Sequence, residues 1–209
     1  MPEPSVVYRF KNGLYINLTN RCPNLCKFCI KTKWHMRFEG YNLDLEGKEP
    51  SAAEVLSLLN KEMLSAPAKE IVFCGYGEPT MRLDALLEIG RALNKHPQYP
   101  SFKIRLNTNG LGDLINRRDI VPELKTAVDV VCVSLNAENE TLWRELLRPA
   151  PGYENGYSAV KEFIKKCARA GFERVTASCV QNTGADEKAV CALAEELGAE
   201  FNGREYLDD

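Results

Sequence analysis

Cys22, Cys26 and Cys29 fall in the string Asn-Leu-Thr-Asn-Arg-Cys-Pro-Asn-Leu-Cys-Lys-Phe-Cys-Ile, a Cys-x-x-x-Cys-x-x-Cys spacing directly after a strand-like segment. Three thiolates this close together can hold one polynuclear metal centre and leave one coordination position open. An iron–sulfur cube normally takes four cysteines. With three, the fourth iron is free to bind a ligand that reacts, the same distinction that separates catalytic from structural zinc. Two plainer readings compete. One is a Cys3His zinc site closed by His35, the only nearby histidine. The other is three small side chains packed as weak hydrophobes, which fits poorly with the polar loop marked by Pro23, Asn24 and Lys27. Zinc remains an alternative at this stage.

The totals narrow the setting. A chain of 209 residues is long enough for one domain with a substantial core and a little long for two. Apolar and charged contents of 44% and 27% are ordinary for a soluble globular protein. A net charge of -2 gives no nucleic-acid signature. Met1 to Phe10 has neither a basic start nor an apolar stretch, and no apolar run is long enough to span a membrane. Eight cysteines without an export signal point to reduced thiols and a cytoplasmic location. Cys74, Cys132, Cys167, Cys179 and Cys191 are scattered singly, and those on strands read as packing.

Strand-like and helix-like segments alternate along the whole chain. Val6–Phe10 and Leu14–Thr19 flank Lys11-Asn12-Gly13, an Asn-Gly signal for a hairpin. Ser51-Ala-Ala-Glu54 reads as a capping box opening a helix to about Leu64. Strands are expected at Ile71–Cys74, Phe102–Asn107, Val128–Leu135, Arg174–Val180 and Glu200–Tyr206. Helices between them are expected around Leu83–Leu93, more weakly over Asp113–Thr126 with an interruption at Pro122, then Glu138–Leu147, Tyr157–Ala170 and Asp186–Leu197. Six strand–helix units, less the last helix, predict a parallel sheet with right-handed crossovers. A closed eight-unit barrel takes about 250 residues. The expectation is therefore an α/β fold, a partial (βα)6 TIM-type barrel with mostly parallel strands, open on one side. An open doubly wound sheet is the alternative.

Side-chain alternation favours the barrel. Val131, Val133 and Leu135 would face the helices, turning Cys132, Ser134 and Asn136 inward. Phe102, Ile104 and Leu106 would do the same, leaving Lys103, Arg105, Asn107 and Asn109 inside, and Leu14, Ile16 and Leu18 oppose Tyr15, Asn17 and Thr19. Barrel interiors are usually filled by branched apolar side chains. A polar one implies a polar ligand, because polar groups buried without partners are costly. The polar strings Gly75-Tyr-Gly-Glu-Pro, Asn107-Thr-Asn-Gly, Ser134-Leu-Asn136 and Gln181-Asn-Thr-Gly all follow strands, at the ligand-binding end of parallel α/β folds.

The cysteine motif after the first parallel strand, followed by Gly75-Tyr76-Gly77-Glu78-Pro79 after the next, resembles the radical S-adenosylmethionine (SAM) enzymes. Within them the text is most similar to the TatD-linked radical SAM proteins, through Leu14–Cys22, Gly40-Tyr-Asn-Leu43, Phe73–Thr80, Ser134–Ala137 and Arg204-Glu-Tyr206. The resemblance implies a single radical SAM core domain over 1–209, with 1–13 as an N-terminal hairpin extension. It implies a 4Fe-4S cluster on Cys22, Cys26 and Cys29, with SAM chelating the fourth iron. Reductive cleavage of SAM to methionine and a 5′-deoxyadenosyl radical would then abstract hydrogen from an unidentified substrate.

The same resemblance assigns residues to the SAM site. Phe28 would shield the cluster and approach the adenine. Gly75 and Gly77 would let backbone near the methionyl amino group, and Glu78 would orient that group or brace its loop. Asn109, Ser134 and Asn136 would contact ribose or carboxylate. The chain departs from the common Gly-Gly-Glu text in that Tyr76 fills the first glycine position and Gly75 precedes it. Arg105 could meet a carboxylate of SAM or substrate, or pair with an inward acid. Arg144 and Arg148 could reach the cleft or lie solvated. A low-potential electron donor, flavodoxin- or ferredoxin-like, is required, and the substrate class is open, macromolecules included. The competing function is a non-catalytic iron–sulfur or zinc-binding regulatory module on the same triad.

Overall fold

The first hairpin forms where expected, but its turn sits one residue earlier. In the computed structural model, which describes residues 3–66, 68–96 and 102–207, β1 (Val7–Phe10) pairs antiparallel with β2 (Gly13–Ile16), and Phe10 faces Gly13. The loop is thus Lys11-Asn12, with Lys11 at φ 51, the positive first central residue of a tight hairpin turn. Gly13 belongs to the strand. A Cβ there would sit 3.1 Å from Glu70 Cγ and from the Tyr15 ring.

The chain continues through α1 (Ile30–Lys33), the small hairpin β3 (Arg37–Phe38) and β4 (Tyr41–Asn42), α2 (Ala52–Ser65) and β5 (Glu70–Phe73). Then come α3 (Leu83–Lys95), β6 (Lys103–Thr108), α4 (Gly112–Asn116), α5 (Val121–Leu124) and β7 (Val130–Ser134). The last elements are α6 (Glu140–Leu147), α7 (Gly156–Arg169), β8 (Arg174–Val180), α8 (Glu187–Glu196) and β9 (Glu200–Arg204). The hairpin β3–β4 was not expected. Helix starts are capped as the text suggests: Ser51 Oγ accepts from Glu54 N–H, Asn139 Oδ1 from Leu142 N–H, and Asp186 Oδ1 from the N–H groups of Lys188 and Ala189. Pro122 does not interrupt a helix. It opens α5, where its missing N–H has no intrahelical partner to lose.

Seven strands form one sheet in the order β1-β2-β5-β6-β7-β8-β9, every pair from β2 onward parallel. Each parallel strand lies beside its successor, so all right-handed crossovers place their helices on one face. The sheet is an open α/β partial barrel with β1 and β9 as free edges.

The main core lies between sheet and helices. Leu14, Ile16, Ile71, Phe73, Ile104, Leu106, Val131 and Val133 pack there against Leu86, Ile89, Trp143, Val160 and Phe163. Gly90 lets α3 approach the chain near Ala127, whose carbonyl oxygen would lie 2.3 Å from an added Cβ. The opposite, concave face is divided. On the β1–β2–β5 side it is apolar and aromatic, with Tyr8, Tyr15, Val72 and Tyr76 packed beside Phe10, Phe38 and Tyr41. On the β6–β9 side it carries Asn107, Ser134, Asn136 and Arg204. A uniformly polar interior therefore does not form.

Neither Lys103 nor Arg105, both read as inward, lines the cavity, and Arg105 takes the ion pair that was one of its two expected roles. Lys103 is exposed at the start of β6, where it pairs with Glu173. Arg105 is spent inside the sheet: it binds Glu70 through two bonds of 3.0 and 2.8 Å, Asn107 Oδ1 at 3.0 Å and the Tyr15 hydroxyl at 3.2 Å. Leu106 is fully buried one residue before cavity-lining Asn107. Leu106→Ala is expected to destabilise the fold by about 2–5 kcal/mol, read as a fall in the urea midpoint with little change in slope.

Candidate functional site

The site begins with how the loop after β2 is held. Asn17 is fully buried. Its side-chain NH2 donates to Leu43 O at 2.9 Å and its Oδ1 accepts from Tyr76 N–H at 3.4 Å. Asn20 bonds Leu43 O and Leu45 N–H. The cysteine segment then docks on the end of α6 and the residues beyond it. Leu25 N–H donates to Leu147 O at 3.0 Å, Lys27 N–H to Leu146 O at 2.9 Å and Ala150 N–H to Pro23 O at 2.7 Å. A loop this well tied through its backbone can present side chains in a fixed arrangement.

Cys22, Cys26 and Cys29 line one end of a cavity of about 610 Å³ at the C-terminal ends of the strands. All three are free thiols. Burial pushes the Cys22 thiol up to about 11, and the Glu78 carboxylate adds to the rise. Burial pushes Cys26 up to about 12, with Cys22 and Cys29 as further contributions. Such thiols need cationic charge to stay deprotonated, which a bound metal centre supplies. Among the described residues no three His, Cys, Asp or Glu side chains converge as a single metal ion requires. His35 lies outside the cavity lining, at φ 46. His35, the fourth donor a closed zinc site would need, does not border the cavity with the cysteines, which leaves their ligand set open in the way a cluster with an exchangeable position requires.

The two glycines of the second motif border the same cavity, but the chain itself requires them. A Cβ on Gly75 would lie 2.2 Å from Asn17 Oδ1; one on Gly77 would lie 2.2 Å from Thr19 O and 2.7 Å from Arg21 O. They let the β5 loop lie directly against the loop that carries the cysteines. Glu78 is not at the cavity wall. It is 2% exposed, and its carboxylate accepts from Thr80 N–H (3.1 Å), Thr80 Oγ1 (2.8 Å), Thr108 Oγ1 (2.8 Å) and Asn109 N–H (2.7 Å). Of the two roles considered for it, this geometry is that of the brace.

Asn109 lines the cavity and extends its side-chain NH2 toward Cys22 Sγ at 3.8 Å, while its Oδ1 accepts from Leu111 N–H at 2.9 Å. Phe28, Ser134 and Asn136 also border the cavity. Asn136 is left-handed at φ 64, and its Oδ1 accepts from Val180 N–H at 3.3 Å. Arg144 and Arg148 do not line the cavity; Arg144 is exposed and pairs with Glu140. Cys74 borders the cavity, whereas Cys179 is buried in the core.

The residue that sequence reasoning missed as a site group is Arg204, at the end of β9. Its side chain borders the cavity and donates to Ser134 Oγ and Asn136 Oδ1, both at 3.3 Å. No carboxylate stands within ion-pair distance of it among the described residues. Desolvation pulls its pKa below the usual arginine value, opposed by the thiols of Cys74, Cys179, Cys26 and Cys132. An arginine whose partners are neutral oxygens is an anion receptor in waiting. Arg204-Glu-Tyr206 entered the family resemblance as motif text with no role, and the last strand's phase, with Phe201 packed on the core, turns Arg204 to the cavity side.

Comparisons with known proteins give the chain a family and its fold relatives. The family model described as the radical SAM superfamily matches residues 16–197. A probable dual-specificity RNA methyltransferase RlmN from Synechococcus sp. (strain CC9311) is 33% identical over 134 residues, covering 63% of this chain and 36% of that protein. Molybdenum cofactor biosynthesis protein 1 of Dictyostelium discoideum is 28% identical over 191 residues, covering 90% of this chain and 27% of that protein. The chain thus spans about a third of the length of these curated relatives. Among solved structures, TYW1 with a lysine-pyruvate adduct bound superposes with a TM-score of 0.64 at 13% identity over 94% of this chain and 65% of that one. The [FeFe]-hydrogenase maturase HydG superposes at 0.63 over 93% and 42%. At such identities the structural likeness speaks for the fold alone.

Gly77→Ala should force the two loops apart, costing about 1–3 kcal/mol as an overpacked contact. Iron and sulfide bound per chain after anaerobic reconstitution should fall with it, whereas Leu64→Ala at an exposed position on α2 should leave loading unchanged.

Proposed function

The chain belongs to the radical SAM superfamily, and from that premise we propose that it is an enzyme that cleaves SAM reductively to drive hydrogen abstraction from a substrate. The observation that carries this reading is the shared cavity: three free cysteines, two backbone glycines and an arginine without a carboxylate partner meet at the strand ends. Cys22, Cys26 and Cys29 would hold a 4Fe-4S cluster. Bound there, the cluster and SAM would supply one-electron cleavage of the sulfonium, giving methionine and a 5′-deoxyadenosyl radical.

The protein's part is binding, orientation and exclusion of water. Gly75 and Gly77 let the β5 loop lie against the cysteine-bearing loop, which would bring their backbone beside a bound SAM. Phe28 borders the same cavity and would shield a cluster bound there. Ser134 and Asn136 hold the Arg204 guanidinium with their oxygens, and their hydroxyl and amide hydrogens would meet ribose or carboxylate oxygens. Arg204 is suited to a carboxylate, which it would bind through two parallel N–H bonds. Glu78 serves the site from behind the cavity wall, and no side chain is assigned as a substrate acid or base.

The narrower TatD-linked grouping rests on motif text alone. The reductant is a low-potential one-electron donor of flavodoxin or ferredoxin type, and the setting is the cytoplasm; no helix among the described residues is long and apolar enough to cross a membrane. We read residues 1–209 as one radical SAM core. The substrate is open between small molecules and macromolecules, RNA included.

Anaerobically reconstituted protein, reduced with dithionite, should convert SAM to 5′-deoxyadenosine, and serine at any of the three cysteines should abolish this. A protein that carries zinc, or an iron–sulfur protein that never cleaves SAM, would instead fit a regulatory module. Arg204→Gln should weaken SAM binding by about 1.5–3 kcal/mol, roughly ten- to a hundredfold, in equilibrium dialysis. Unchanged SAM affinity would reassign the guanidinium to the substrate.

A further inference from the structure

We propose that the side-chain amides of Asn109 and Asn24 are hydrogen-bond donors to the sulfurs of the cluster, and that through them this chain sets its cluster's reduction potential. The inference rests on the functional reading above.

Asn109 is aimed rather than merely near. Its Oδ1 is taken by Leu111 N–H at 2.9 Å, which leaves the NH2 end free to face Cys22 Sγ at 3.8 Å. Its backbone N–H is held by the Glu78 carboxylate at 2.7 Å. The same carboxylate holds Thr108 Oγ1, which in turn accepts Gly110 N–H at 3.1 Å. The buried glutamate of the second motif therefore acts on the cluster at one remove, by positioning Asn109.

Asn24 provides a separate observation. It lies between the first two ligating cysteines, is 3% exposed and borders the cavity. Both polar atoms of its side chain are buried without a hydrogen-bond partner, although its backbone is fixed by the bridge to Pro149. Its backbone N–H already points at the Cys22 sulfur. A buried, unpartnered carboxamide is costly, and sulfur on the cavity side would satisfy its NH2.

Donors to cluster sulfur stabilise the more electron-rich, reduced state and so raise the potential. Removing one should lower it. Two variants test this by dithionite titration of the reconstituted protein, followed by electron paramagnetic resonance. Asn109→Ser keeps an oxygen for the Leu111 turn but is too short to reach Cys22. It should lower the reduced-to-oxidised ratio at a fixed poise about tenfold, equivalent to about 59 mV for one electron. Asn24→Ala removes only atoms with no protein partner. The metal-free protein should therefore be no less stable, while the potential falls in the same direction.

Should these variants fail to fold, wild-type protein labelled with 15N only in asparagine side chains should show nitrogen coupling to the reduced cluster. Full iron and sulfide with unmoved potentials in both asparagine variants, or no such coupling, overturns the proposal alone. A protein that assembles no cluster overturns the functional reading beneath it.

Discussion

The carboxylate of Glu78 is the interaction on which the site's geometry depends. It is buried, yet four donors from two strand ends converge on it: the N–H and hydroxyl of Thr80, the hydroxyl of Thr108 and the N–H of Asn109. Its own N–H meanwhile donates to Arg21 O at 2.8 Å. One side chain thus fastens the β5 loop to the β6 loop while its backbone fastens both to the loop before Cys22. Burial raises its pKa and the four hydrogen bonds oppose that rise. A group so placed is expensive to bury without its partners and specific with them.

From that anchor the other constraints follow. Gly75 and Gly77 are small because Asn17, Thr19 and Arg21 occupy the space a side chain would need. Asn17 is fully buried because it must satisfy Leu43 O on one side and Tyr76 N–H on the other. Thr19 and Arg21 meet Glu49, which also binds Arg82 at 3.2 Å. The motif's residues thus bind one another before they bind any cofactor. Three loops from separate crossovers are assembled into a single rigid rim, the kind of prior organisation a cluster site needs.

Much of this was legible in the sequence, and the part that was not has physical reasons. Period-two alternation on β6 and β7 correctly separated Ile104, Leu106, Val131 and Val133 from the cavity side, because a parallel strand covered by helices must bury that face. The cysteine spacing marked the cavity end directly. Arg105 was ambiguous because its partner Glu70 lies 35 residues away, and only strand register brings them together. The β3–β4 hairpin was invisible because two-residue strands carry no periodicity. Arg204 escaped because a lone arginine near a strand end looks the same in sequence whether it faces solvent or a cavity.

The divided concave face bears on how the fold combines stability with function. An open barrel leaves its inner face with too few neighbours to fill it. Here Tyr8, Tyr15, Phe10 and Phe38 close one half by ring contacts, with centroids 4.9 to 5.9 Å apart. That packing fixes β1, β2 and the β3–β4 hairpin without any ligand. The other half keeps Asn107, Ser134, Asn136 and Arg204 polar at the cavity wall. Hydrophobic burial on one side can therefore offset the cost of keeping polar groups on the other. Arg105, bound by Glu70, Asn107 and Tyr15 along the seam, joins the two halves. An aromatic wall facing a polar one across the same cavity also gives a planar, hydrogen-bonding ligand two kinds of surface at once. This is why the sheet can stay open at β1 and β9 and still hold its binding groups in place.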